Sequence, residues 1–302
     1  MKTIHGIPAI IALVAALGFA AACEKGNEGS DVGIDPVETT ETTETTPGET
    51  LPDTTPTETV QETPTDIIPD EIPPTGGLVA DHQAAGQFGD IPSSFIEAAR
   101  SSFTIYYGHT SHGSQVVTGI SMLEAEDAAY TRPALTEDSP DLGYPEWEPK
   151  TRAYLDANPG TNLVMWSWCG QMSSLTTDDV DNYLSLMSAL ETDYPSVTFV
   201  YMTGHLDGTG VDGTLYANNN RVRDYCATND KVLFDFADIE SYDPDGTYYP
   251  DGADDCAWCT TWCESHECPA CDSCAHSHCF NCYQKGKAFW WMVAHLAGWE
   301  GP

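Results

Sequence analysis

The apolar positions from residue 77 onward follow two periods. Phe103, Ile105 and Tyr107 alternate with Thr104 and Tyr106, which predicts a strand over 103–107. Residues 162–168 (Asn-Leu-Val-Met-Trp-Ser-Trp) are almost wholly apolar, as a strand buried on both faces requires. Two more strands are predicted at 197–202 and 232–236. Between them the period lengthens. Val180, Tyr183, Leu184, Met187 and Leu190 form one stripe of a helix over 177–192, with Asp178 and Asp179 in its first turn. Shorter helices are predicted over 92–100 with Ser93 or Ser94 as cap, over 116–126 and over 218–228. A closing helix over 287–297 stops at Gly298. Residues 127–150, rich in Pro, Gly and acid, read as a long loop over one face, and 151–157 as a helical turn. Strand–helix alternation implies a parallel sheet with helices on both faces, a three-layer α/β sandwich. Sites in such sheets gather at the carboxyl ends of strands, which places Ser111, Gly170, Gln171, Gly204 and His205 on one edge.

The first 76 residues follow neither period. Lys2, an apolar run from Ile7 to Ala22 and the small residues Ala20, Ala21 and Ala22 read as an export signal over 1–22. Cys23 follows directly, an arrangement that resembles the bacterial lipoprotein signal. The resemblance implies lipidation at Cys23 and a chain anchored to a membrane of the cell envelope, its domain facing the periplasm or the cell surface. Residues 23–76 read as a linker: between Thr39 and Thr65 thirteen threonines alternate with Glu and Pro, and nothing there is apolar enough to fold. Residues 77–302 make one domain.

Charge narrows the partners. The 302-residue chain carries 47 acidic and 11 basic side chains, a formal charge of -36. Residues 77–302 alone hold 33 acids and 9 bases, a difference of -24. Such a surface repels phosphate backbones and argues against nucleic acid.

Cysteine gives the same compartment. Eight of the eleven fall between Cys256 and Cys282, and Cys-x-x-Cys recurs among them. In an exported chain that density predicts disulfides within the segment, with structural zinc as the alternative. Cys169 and Cys226 would then form a fifth pair.

The candidate chemistry sits in Gly108-His-Thr-Ser-His-Gly-Ser-Gln115, where the first strand hands over to a helix. A serine on such a turn is exposed at the sheet edge, and the helix N-terminus favours developing negative charge. With the Trp168-Cys-Gly-Gln171 turn after the next strand and the late Asp272-Ser-Cys-Ala-His276-Ser-His278 stretch before the last helix, this order of parts resembles the SGNH (GDSL-like) hydrolases. The resemblance implies that Ser111 is the nucleophile, that Gly170 helps to form the oxyanion hole, and that His276 is the base, oriented by Asp272; Gln171, which matches no family motif, is the candidate for the amide donor's role. The chain departs from the family at three places: Gly-His-Thr-Ser stands for Gly-Asp-Ser, Cys-Gly-Gln for Gly-x-Asn-Asp, and the Asp272–His276 spacing is one residue longer than the family's Asp-x-x-His. His205, at a strand's carboxyl end, is the rival base.

The reaction so implied is hydrolysis of an ester, with an acetyl group on a carbohydrate as a candidate and no cofactor required. A non-catalytic surface module that retains the fold is the alternative. A metal-dependent hydrolase using His109, His112, His205 and Asp207 is a third reading. The run Asp243-Pro-Asp245-Gly246 with Asp251 has the alternation of a calcium loop without its terminal Glu, so Asp243, Asp245 and Asp251 are calcium candidates beside the reading of a solvated acidic turn.

Overall fold

A computed structural model describes residues 77–302. The predicted signal, the Cys23 lipidation site and the linker lie outside the described residues. Six strands, β1 (Val79–Ala80), β2 (Thr104–Gly108), β3 (Ala134–Asp138), β4 (Leu163–Trp166), β5 (Thr198–Met202) and β6 (Val232–Phe234), form one sheet in the order β1-β6-β5-β4-β2-β3. Every neighbouring pair is parallel. No helix among the described residues is long and apolar enough to cross a membrane.

The period-2 pattern divides the strands between two cores. Ile105, Tyr107, Leu163, Met165, Val200 and Met202 face the first, with α1 (His82–Gly86), α2 (Ser93–Ser102), α3 (Ser114–Glu126) and α9 (Cys279–Leu296) packed over them. Tyr106, Val164, Trp166, Phe199 and Tyr201 face the second, covered by α4 (Trp147–Ala157), α5 (Thr177–Asp193) and α6 (Thr214–Thr228). Each such side chain, fully buried, stabilises the fold by about 1.5–3 kcal/mol before ordering costs. The two cores explain why the central strands lack polar positions.

The helix after β2 lies on the first face and the helix after β4 on the second. The carboxyl ends of these adjacent strands therefore open a crevice at the point where the winding reverses, the usual ligand position of doubly wound sheets.

Helices α3 and α9 meet closely enough that glycine is required at the contact. A Cβ on Gly119 would lie 1.9 Å from the Cys282 carbonyl oxygen, and one on Gly286 would lie 2.4 Å from the carbonyl carbon of Gly119. The cysteine-rich segment is fixed to this pair. Its disulfides are Cys256–Cys259, Cys263–Cys268, Cys271–Cys279 and Cys274–Cys282, and Cys274 and Cys282 pack on Met122 of α3. All eight sulfurs are bonded in pairs, which removes them as zinc ligands. Cys226 is free and buried, so the fifth pair expected between it and Cys169 does not form.

Several expected elements change. The stretch read as a loop over 127–150 contains β3, an edge strand that pairs with β2 through Ala134-Leu-Thr-Glu-Asp138. Its half-exposed, acid-bearing sequence hides the strand, because an edge needs little apolar surface. The helix at 93–102 is capped by the backbone at Pro92 and by no Ser93 or Ser94 side chain. The closing helix starts at Cys279, eight residues early, with the His278 ring accepting from Phe280 N–H at its N-terminus. Two short helices, α7 (Phe236–Ser241) and α8 (Ala257–Cys263), complete the chain.

Candidate active site

The β2 turn is held from several sides. Tyr107 donates its hydroxyl proton to the Gly113 carbonyl at 3.0 Å, and Ser114 Oγ donates to the Ser111 carbonyl at 2.6 Å. His109 turns outward to Glu137, 3.0 Å away, and Thr110 bonds Asp141. Gly113 is required by space, since a Cβ there would meet Ser167 Oγ at 2.1 Å. These contacts leave Ser111 and His112 at the crevice. Ser111 Oγ lies 3.7 Å from Cys169 Sγ at the end of β4.

His112 is the centre of the site. Its ring is 4 % exposed and lies flat between two others, His205 at 3.7 Å and 2° and His276 at 4.4 Å and 16° between centroids and planes. Its edges are also engaged, Nδ1 at 3.4 Å from Cys169 Sγ and Nε2 at 3.0 Å from Asp254 Oδ2. Burial pushes the His112 pKa down, the neighbouring His205 and His276 push the same way, and Asp254 opposes them. Burial works to raise Asp254, but the His112 hydrogen bond and the three imidazoles outweigh it and hold the carboxyl below its ordinary range.

His205 comes from the turn after β5. Its Nδ1 lies 2.7 Å from the Leu206 carbonyl, which can only accept, so the tautomer carries its proton there and leaves Nε2 as the basic nitrogen. That nitrogen faces the β4 turn, 3.9 Å from the position a Gly170 Cβ would take. His276 comes from the loop before α9 and is solvent-exposed, in a left-handed conformation at φ 61° that few non-glycine residues adopt. The disulfides Cys271–Cys279 and Cys274–Cys282 enclose it.

Beneath the histidines is a buried ionic network. Lys285 and Glu240, both 0 % exposed in their side chains, meet at 2.7 Å. Lys285 also donates to Gln115 Oε1, while Gln115 Nε2 donates to the Ala275 carbonyl at 2.6 Å. Leu206 N–H donates to Glu240 Oε2 at 2.7 Å. One pair thus fixes the residue after His205, the residue before His276 and the first turn of α3, which follows His112.

Of the residues singled out by sequence, His112, His205 and His276 come together, with Ser111 beside His112 in the β2 turn. Gly170 is exposed on the facing turn. Gln171 braces that turn, its Oε1 accepting from Cys169 N–H at 2.8 Å and its Nε2 donating to Asp141 at 3.1 Å. Asp272 is exposed, and the carboxylate in the cluster is Asp254. His109 pairs with Glu137, and Asp207 accepts from Thr209 N–H and Oγ1 at 3.0 and 2.5 Å. Asp243 accepts from the N–H groups of Asp245 and Thr247 and from the Tyr249 hydroxyl, so it organises its own turn. Among the described residues it does not converge with Asp245 and Asp251 as a set of metal ligands. Asp254, Glu240, Lys285 and Gln115 were not legible as site residues.

No protein-family model matches this sequence, and no curated protein does.

Proposed function

We propose that the chain is a serine hydrolase of esters, divergent from the SGNH pattern, with Ser111 as nucleophile and His205 as general base. The observation that supports it is the gathering of Ser111, Gly170 and three imidazoles at the β2/β4 crevice. A serine hydroxyl attacks only when a base removes its proton, and a neutral imidazole with a fixed tautomer suits that task. His205 has its tautomer fixed by the Leu206 carbonyl, which leaves Nε2 free to take the proton. The β2–β4 strand relationship and a histidine immediately before the last helix also agree with the family order, with His276 at the family's position. Asp254 orients the central imidazole, His112, on which the His205 ring stacks.

In this reading Ser111 attacks the ester carbonyl, the alcohol leaves with the proton held by His205, and water then releases the acid. Backbone N–H groups near Ser111 and at Gly170 stabilise the oxyanion. A neutral substrate, such as an acetylated sugar, is compatible with an acidic surface that disfavours anionic ones. The test is turnover of 4-nitrophenyl acetate by the purified chain and by Ser111→Ala. A loss of at least about a hundredfold is expected; wild-type turnover no faster than buffer, or an active Ser111→Ala, would contradict the assignment.

A further inference from the structure

We infer that His112, Asp254 and His276 form a binding site for a divalent transition metal, with zinc the best match to the ligand set. One ligand atom from each residue lies within 4.8 Å of the others. Tetrahedral zinc with bonds of roughly 2.1 Å separates its ligands by about 3.4 Å, so closure brings ligand atoms together by at most about 1.4 Å and turns the stacked His112 and His276 rings toward one ion. The chemistry of the set is selective. Two imidazoles and one carboxylate suit zinc or its neighbours, whereas calcium and magnesium favour all-oxygen sites.

Three features separate this cluster from a chance meeting of polar side chains. The ligands come from three distant stretches, the β2 turn, the acidic loop before α8 and the loop before α9. The fold therefore holds them together without help from local sequence. His276 adopts its left-handed backbone between two disulfides, so the strained conformation is imposed from outside. The backbone that carries His276 is held in place: Gln115 bonds the carbonyl of Ala275, one residue before it, and Gln115 is itself fixed by Lys285. His276 and Asp254 are accessible from solvent, which gives an ion a route in. Three protein ligands leave a coordination position for water or substrate, as in catalytic rather than structural zinc sites.

The site is adjacent to the serine centre but does not depend on it, because its ligands exclude both Ser111 and His205. The experiment is titration of the full chain, purified without a histidine tag and stripped with chelator, with ZnCl2 by calorimetry and with CoCl2 by visible absorption. Expected is one ion per chain, with a tetrahedral or five-coordinate cobalt spectrum. Asp254→Asn and His276→Ala should each weaken binding at least about tenfold. His276→Ala lies on an exposed residue and keeps the fold testable by near-UV circular dichroism if Asp254→Asn does not fold. No saturable binding by the wild type, or binding unchanged in a folded His276→Ala, would overturn the inference. Metal binding is read without substrate, so a chain that binds zinc and hydrolyses no ester would confirm this site while contradicting the serine reading.

Discussion

His112 and His205 stack with ring centroids 3.7 Å apart and planes within 2°. Two imidazolium ions cannot share that spacing cheaply, so protonating one disfavours protonating the other. Burial adds to this at His112 and lowers its pKa. A proton is therefore bound less readily in the folded chain than in the unfolded one. The stability contributed by neutral His112 is complete above the unfolded value of about 6.5 and declines as pH falls below it. In chelator-washed protein, the His112 ring followed by NMR should titrate below 6.5, and His205→Phe should move it upward. A His112 that titrates above 6.5, or does not move in that variant, would contradict the stacking account.

Lys285 and Glu240 lie at the junction of three site segments. Burial alone pushes the lysine pKa down, with Glu240 opposing. Removing one partner leaves the other charge buried, so Lys285→Met should cost about 3–5 kcal/mol in denaturant unfolding. Lys285→Met combined with Glu240→Gln should cost less than Lys285→Met alone. A double variant as unstable as the sum of the two singles would show that the pair is not coupled.

Asp81 follows β1 and caps α1, accepting from Ala84 N–H at 2.9 Å. Burial first, and Asp238 second, raise its pKa to about 6. The folded chain then holds a proton that the unfolded chain has released, so this residue weakens the fold as pH rises from about 4 to 6. Asp81→Asn keeps the cap and removes the charge. It should stabilise the protein by on the order of 1–3 kcal/mol at pH 8 and by little at pH 4. An equal effect at both pH values would rule out the charge as the cause.

The sheet was legible because its central strands are apolar on both faces, and Val164 and Trp166 can be buried no other way. Strand β3 was not, because Thr136, Glu137 and Asp138 belong to an edge exposed to water. The candidate site was half legible. Ser111 stands at a strand–helix handover and His205 at a strand end, features that local sequence records. Asp254 lies 142 residues from His112, within an acidic run whose other members are solvated, so nothing local distinguishes it. Its role comes from the cysteine-rich segment folding back onto α3 and α9, and cysteine spacing alone does not encode that path.

The most direct measurement of the central claim is covalent labelling of the folded, chelator-washed chain by a fluorophosphonate, read by intact mass and peptide mapping. One adduct per chain, on Ser111, is expected. It should be absent in Ser111→Ala and slowed about a hundredfold or more in His205→Gln. A chain that takes no label, takes it elsewhere, or labels equally fast without His205 would contradict the assignment of Ser111 and His205 as nucleophile and base.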